Sequence, residues 1–170
     1  MDTPTLNICG DDIVRAWNEG YAAGASNASR GQGGVHFVIY GEPKGKGRPR
    51  FARRGKYVSS YTPQETQNYE AFVKMCYVEA ANGRKFYGPV EADIQCYFGV
   101  PKSVSEKKRR RMIDGGVPCT KLPDTDNVAK AVLDALNTIA YDDDRQVVSL
   151  IVMKRYGETP RVEVTLQDVV

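Results

Sequence analysis

The chain has 170 residues, and its 24 lysines and arginines against 21 aspartates and glutamates give a formal net charge of +3 at pH 7. A hydrophobic fraction of 41% and a charged fraction of 26% are typical of a soluble globular protein with one domain. No signal peptide opens the sequence, and no apolar run approaches the roughly 18 residues that span a bilayer. This excludes a transmembrane protein and predicts a cytoplasmic one without membrane contact.

Histidine and cysteine are scarce. The four cysteines are far apart and lack the paired spacing of a zinc site, and Cys76 and Cys96 fall in apolar contexts typical of reduced core residues. The single histidine, His36, lies in a predicted strand, where a structural role is favoured. Histidine-based metal or triad chemistry is therefore almost excluded, and any catalysis falls to carboxylates.

Residues 1–34 are predicted to be an N-terminal extension, and residues 35–170 the folded domain. Apolar residues between Asp11 and Ala23 indicate a short helix, and residues 24–34 form a linker rich in glycine, serine and asparagine. The composition of this extension assigns it no function.

Residues 35–40 are predicted to form a strand, and the basic loop, residues 41–62, follows it. Seven cations stand here against the single Glu42, with aromatic residues between them. Cations on a glycine-rich backbone match a phosphate backbone, and aromatic rings can stack on bases, so we expect DNA contact here rather than a merely solvated loop. The predicted DNA-binding residues are Lys44, Lys46, Arg48, Arg50, Phe51, Arg53, Arg54 and Lys56.

A helix is predicted from Thr62 as N-cap, with Glu65 completing a capping box, to its end at Asn82-Gly83. Residues 89–100 read as a strand. A short helix over residues 104–113 carries five consecutive cations, which indicate either a solvated face or a second phosphate-binding surface.

Residues 123–146, PDTDNVAKAVLDALNTIAYDDDRQ, hold six aspartates and one lysine. From Val128 to Ile139 the apolar residues follow one helical stripe, and Asp126, Lys130 and Asp134 line the opposite face. The acidic turn, residues 142–144, follows this helix. Geometry leaves open whether this turn folds back toward the helix N-terminus or lies at the other end.

Two interpretations of the aspartates remain open at this point. If Asp144 comes near Asp124 and Asp126, three carboxylates converge, and their repulsion requires a hard cation such as Mg²⁺ or Mn²⁺ among them. Otherwise Asp124 and Asp126 are helix caps and the acidic turn is solvated.

Residues 147–156 and 161–166 are predicted strands, and the turn residues 157–160 between them predict a β-hairpin. The order of elements indicates an α+β fold in which a mixed sheet of about four strands packs against two long helices, mostly on one face.

The pattern PDTDNVAKAVLDAL followed by DDRQVV, with KGKGRPRF and YTPQET before it, resembles the RusA-type Holliday junction endonucleases of bacteria and phages. The resemblance covers roughly residues 35–166. It implies a homodimer that binds four-way DNA junctions and cuts them with Mg²⁺, for which Mn²⁺ can substitute, without an organic cofactor. In one departure, Leu122 stands where family members often carry a basic residue.

The resemblance also assigns roles to residues. The essential aspartates map to Asp124, Asp126 and Asp144, which would hold one or two Mg²⁺ ions, and the catalytic lysine maps to Lys130. Asn127 and Asp143 would orient these ligands. Alternatives are a nuclease with a broader preference for branched DNA or flaps, and a junction-binding protein without catalysis.

Overall fold

The computed structural model describes residues 34–54 and 57–169, with the backbone alone for residues 50–54 and 57–60. The predicted extension, apart from Gly34, lies outside the described residues, as does the helix expected between Asp11 and Ala23. The strands are β1 (Gly34–Tyr40), β2 (Arg50–Arg54), β3 (Tyr57–Tyr61), β4 (Val90–Gly99), β5 (Val147–Gly157) and β6 (Arg161–Asp168). The helices are α1 (Gln64–Ala81), α2 (Glu106–Ile113) and α3 (Thr125–Leu136), and a 3₁₀ turn spans Asp144–Gln146.

Four strands form one mixed sheet in the order β1-β6-β4-β5. β4 runs parallel to β5 and antiparallel to β6, and β6 runs antiparallel to β1. The predicted mixed sheet in an α+β fold is confirmed. The predicted hairpin of β5 and β6 is wrong, because β4 lies between them and the connection at residues 158–160 crosses its end.

Alternation of buried residues along β4 explains its central place. Val90, Ala92, Ile94, Cys96 and Phe98 are each at most 1% exposed, and the residues between them are half-buried. A strand with one fully buried face needs a neighbour on each side to satisfy its backbone groups, which β5 and β6 provide.

The helices cover the buried face of the sheet. α1 packs on β1 and on α3, and α3 packs on β5. Tyr77 of α1, Ile94 of β4 and Leu136 of α3 are fully buried in the shared core, and truncating one such side chain to alanine typically costs about 2–5 kcal/mol. The expectation of two long helices is only partly right: of the three helices described, α1 has 18 residues, α3 has 12 and α2 has 8.

The N-terminus of α1 differs from the prediction. Pro63 rather than Thr62 is the N-cap, and no side chain forms a capping hydrogen bond there. The Pro63 carbonyl instead accepts hydrogen bonds from the amides of Thr66 and Gln67, at 3.0 and 3.2 Å, so the first turn closes on the proline. The C-terminus is as predicted, since Asn82 caps it in the left-handed conformation at φ 49°.

The basic loop is also more structured than expected. Residues 41–49 are irregular, but β2 and β3 pair antiparallel as a separate two-stranded sheet, from Arg50 opposite Tyr61 to Arg54 opposite Tyr57. The density of cations concealed the β-forming residues of these two strands.

Other sequence expectations concern single side chains. Cys96 is buried and Cys76 half-buried, both are free thiols, and burial raises the pKa of each to about 11. His36 lies opposite Thr165 in the sheet, with its Nδ1 3.0 Å from the threonine hydroxyl, in agreement with a structural role. None of the helices in the described part of the chain is long and apolar enough to cross a membrane.

Candidate functional site

Asp124 and Asp126 stand at the N-terminus of α3. Asp124 occupies the N-cap position with an extended backbone, yet its side chain forms no capping hydrogen bond. Both residues are exposed, and within the described residues neither carboxylate has an ion-pair partner. The interpretation of Asp124 as a capping side chain is therefore wrong, and both carboxylates are available to a ligand.

Lys130 lies one helical turn after Asp126 on the same face of α3 and is exposed. Val128, Ala129, Ala131 and Val132 of this helix are at most 4% exposed. Their burial fixes the rotation of α3 about its axis, so the face with Asp126 and Lys130 must point to solvent.

Asp134, one further turn along this face, is half-buried and held by an ion pair. The Lys46 ammonium donates to Asp134 Oδ2 and lies 3.4 Å from Glu70 Oε1 of α1. Although burial acts to lower it, the hydrogen bond and charge of Asp134 and the charge of Glu70 hold the pKa of Lys46 above its ordinary value. Lys46, predicted to contact DNA, is thus occupied in joining the basic loop to α1 and α3.

The first part of the basic loop passes between the N-termini of α1 and α3. Lys46 N donates to Asn127 O at 3.2 Å, and Gly47 N donates to Thr66 Oγ1 at 3.1 Å. A Cβ atom at Gly47 would lie 2.5 Å from Thr66 Oγ1, and one at Gly45 would lie 2.9 Å from Pro123 Cβ. Only glycine fits this close approach, which brings the loop beside Asp124 and Asp126.

Lys44 and Arg48 are the cations of this segment that remain exposed. They line a groove of about 600 Å³ that extends between Pro63 and Pro123, next to Asp124. Among the described residues neither cation has an ion-pair partner. The groove thus presents two cations and the carboxylate of Glu65, immediately beside Asp124, whose carboxylate is unpaired among the described residues.

The other predicted DNA-binding residues are less defined. Arg50, Phe51, Arg53 and Arg54 belong to β2, where the backbone alone is described. Lys56 lies outside the described residues. Their contact with DNA stays a prediction.

The acidic turn is held at the start of β4. Gln146 Nε2 donates to Gly88 O at 3.0 Å. Asp143 caps the 3₁₀ turn by accepting from Arg145 N at 3.0 Å, and the Gln146 side chain completes a capping box. The Asp143 side chain, predicted to orient a metal ligand, therefore has a local structural role, and Asp144 beside it is exposed.

Asp144 does not meet Asp124 and Asp126 within this chain. The acidic turn is attached just before Val90, the first residue of β4. At the other end of this strand, Lys121 Nζ donates to Gly99 O at 3.1 Å, and Lys121 is three residues before Asp124. At 3.3 Å per residue, the ends of β4 are about 30 Å apart. In the described ranges no group of three histidine, cysteine, aspartate or glutamate side chains could hold a metal ion.

Tyr141 supports the same placement of Asp144. Its buried hydroxyl donates to Leu133 O at 2.9 Å, in the C-terminal half of α3. Burial, followed by the charges of Asp144 and Asp134, raises the pKa of Tyr141. Asp144, three residues after Tyr141, therefore lies toward the C-terminal end of α3, where Leu133 is about 10 Å of helical rise beyond Asp126.

Sequence reasoning missed one side chain near Asp124. Lys154 of β5 donates to the carbonyl of Lys121 and, at 2.8 Å, to the carbonyl of Pro123. Its position in the sequence carried a signal, because Lys154 shares the strand face of Val152 and Tyr156, which pack against the core. A lysine among inward-facing apolar residues needs acceptors for its ammonium group.

Comparison with known proteins relates most of this chain to others. The family model described as Endodeoxyribonuclease RusA matches residues 40–167. The uncharacterized protein YqaN of Bacillus subtilis (strain 168) is 41% identical over 138 residues, which are 79% of this chain and 96% of that protein. The match to the family model includes α1, α3, the acidic turn, β4, β5 and all but the last residue of β6.

Proposed function

The chain belongs to the RusA family of endodeoxyribonucleases, and from this premise we propose that it is a Mg²⁺-dependent nuclease that resolves four-way Holliday junctions by paired symmetric cuts. One observation carries the proposal: Asp124 and Asp126 are exposed carboxylates without partners among the described residues, beside the exposed Lys130. Free charges of opposite sign on one helix face suit a cation and a phosphate, and they serve no structural purpose that the described contacts reveal.

Oxygen ligands at the start of α3 fit a hard divalent cation, Mg²⁺ or, as a substitute, Mn²⁺. The bound cation supplies activation of water and neutralisation of phosphate charge. Asp124 and Asp126 would hold it, and Lys130 would donate to the phosphate oxygen on which negative charge develops. Burial of the opposite helix face keeps these three side chains in a fixed relation.

The third carboxylate requires a second subunit. Asp144 of the same chain is attached to the opposite end of β4, so we assign the third ligand to Asp144 of the partner subunit. Two symmetric cuts in a four-way junction call for two sites related by a dyad, which a homodimer provides.

One edge of β5 has no strand beside it in the described part of the chain, and this supports a place for the dimer contact. β5 ends the sheet, and its exposed residues Val148, Leu150, Ile151 and Met153 are each 43–62% exposed. An unpaired apolar strand edge favours pairing with another strand. If two β5 edges pair antiparallel, the acidic turn of the partner subunit lies toward the end of β5 at which Lys154 contacts Pro123.

The groove beside Asp124 supports contact with the DNA backbone. Lys44 and Arg48 are exposed there, and phosphate contacts by such cations supply affinity that decreases with salt. Lys46 is omitted from this surface, since its ammonium pairs with Asp134 and Glu70.

A labelled synthetic four-way junction tests the proposal. The protein is incubated with the junction, and with matched flap and linear duplex substrates, in Mg²⁺ or in EDTA. We expect paired nicks near the branch in Mg²⁺ alone and little cutting of the duplex. Equal cutting of flaps and junctions selects a broader branched-DNA nuclease. A gel shift without any cut refutes the enzyme and selects a junction-binding protein.

A further inference from the structure

The segment that leads into Asp124 is fastened to the sheet by two lysines. Lys154 donates to the carbonyls of Lys121 and Pro123, on either side of Leu122. The Lys121 ammonium in turn donates to Gly99 O at the end of β4. Both ammonium groups lie near the buried ring of Phe98, with Lys154 Nζ 5.3 Å and Lys121 Nζ 5.8 Å from its centroid. This segment is therefore connected to β4 and β5 through charged side chains.

We propose that Lys154 is a positioning residue for catalysis, which fixes the backbone before Asp124 and thereby aims its carboxylate at the cation. The inference rests on the proposed function and deepens it. Lys154 itself need not touch the cation or the DNA, because it acts through two backbone carbonyls.

Asp124 has one other backbone contact in the described structure, since its carbonyl accepts a hydrogen bond from Val128 N on the buried face of α3 at 3.1 Å. Its side chain makes no capping hydrogen bond, so no described partner of its own fixes the direction of the carboxylate. Leu122 is 79% exposed and adds little packing. The direction of the Asp124 side chain thus depends on the backbone at residues 121–123, where Lys154 donates to two of the three carbonyls.

The chemistry of the lysine suits this role. An ammonium group has three donors, and hydrogen bonds from a charged donor are about twice as strong as neutral ones. The half-buried position of Lys154 over an aromatic ring reduces competition from water. Residues that support metal ligands from behind typically change affinity or activity by about 10–100-fold when they are replaced.

Three variants test the proposal. Lys154→Met keeps the length and apolar stem but removes the donors, and Lys154→Arg keeps charged donors. Lys74→Met is the matched control, because Lys74 of α1 is an exposed lysine whose side chain has no hydrogen bond or ion pair in the described structure. Each full-length protein is assayed for junction cleavage, for Mg²⁺ dependence and for hydrogen exchange of the peptide that covers residues 119–127.

For Lys154→Met we expect kcat to fall about 10–100-fold, with a higher Mg²⁺ concentration at half-maximal rate and KM for the junction within about twofold. Exchange in residues 119–127 should accelerate at least about fivefold, while exchange in the core strands is unchanged. Lys154→Arg should recover most of both properties, and Lys74→Met should change neither.

An unchanged kcat and exchange rate in Lys154→Met would overturn the inference while leaving the proposed function intact. If neither the wild type nor any variant cuts a junction, but Lys154→Met selectively accelerates hydrogen exchange in residues 119–127, the proposed function is rejected. The result would still support the role of Lys154 in fixing this backbone. If Lys154→Met does not fold, Lys154→Gln decides: its shorter side chain lacks the ammonium group that reaches both carbonyls, and full activity with full protection there would overturn the proposal.

Discussion

Asp126→Asn, tested together with Asp144→Asn, examines the carboxylates directly. Asparagine keeps the shape of each side chain but is a poor ligand for a hard cation. Losing about 4 kcal/mol of transition-state stabilisation lowers kcat about 1,000-fold, and we expect at least this loss for either homodimer. Because Asp126 is exposed, its charge acts on DNA phosphates through water, so its removal should tighten junction binding by only about twofold.

Mixing the two inactive proteins tests where Asp144 acts. Random exchange makes half of the dimers mixed, and each mixed dimer has one site in which Asp124 and Asp126 of one subunit meet Asp144 of the partner subunit. About a quarter of all sites are then intact, so we expect about a quarter of the wild-type nicking rate. If the two variants carry different affinity tags, the mixed dimer can be purified. The fraction of intact sites should then rise to about half.

Asp142→Asn is the matched control in the acidic turn. Asp142 pairs with Lys85 at 2.6 Å, and a surface pair contributes at most about 1 kcal/mol, so this variant should cut normally. Cleavage is followed on an end-labelled junction, and thermal unfolding checks that Asp126→Asn lowers Tm by no more than about 2–4 °C. A purified mixed dimer that remains inactive would refute the shared site, and an active Asp144→Asn homodimer would remove Asp144 from the ligand set.

Three further predictions concern the surfaces around this site. Replacing Lys44 and Arg48 together by Gln should reduce the slope of log Kd against log salt by about 1–2, and an unchanged slope in a gel-shift titration would remove the groove from DNA binding. Lys46→Met should leave that slope unaltered but lower the free energy of unfolding by about 1–3 kcal/mol in urea denaturation, because it leaves two carboxylates without their partner. Ile151→Lys should produce a folded monomer in sedimentation analysis that binds a junction but does not cut it, and a dimer that persists would place the contact elsewhere than β5.

Local periodicity in the sequence was sufficient for most elements. The spacing of Val128, Ala131, Val132 and Ala135 predicted the face that α3 buries. Alternation, or a run of β-forming apolar residues, predicted the four strands of the main sheet. The predicted apolar stripe of this helix included Ile139, but α3 ends at Leu136 and Ile139 follows it in a turn. These patterns are readable because helix and strand geometry relate residues that are close in sequence.

The high density of cations led to a prediction for the basic loop that was only partly correct. Its seven cations suggested one continuous DNA-binding loop, but part of it pairs as β2 and β3, and Lys46 turns inward to Asp134, 88 residues away in the chain. The sequence shows that a lysine is present but not which distant carboxylate it meets. Lys154 was overlooked for the same reason, since its acceptors are backbone carbonyls 31 and 33 residues earlier.

The sequence alone therefore determined which chemical groups this protein brings together. It has carboxylates at the start of an amphipathic helix, an acidic turn after that helix, and a cluster of cations that can bind a polyanion. Only the tertiary structure decided how these parts lie. It inserted β4 between β5 and β6 and set the two acidic segments at opposite ends of β4. The physical reason is that strand order and ion pairing depend on contacts between distant segments, which the burial of the whole core selects and no local pattern records.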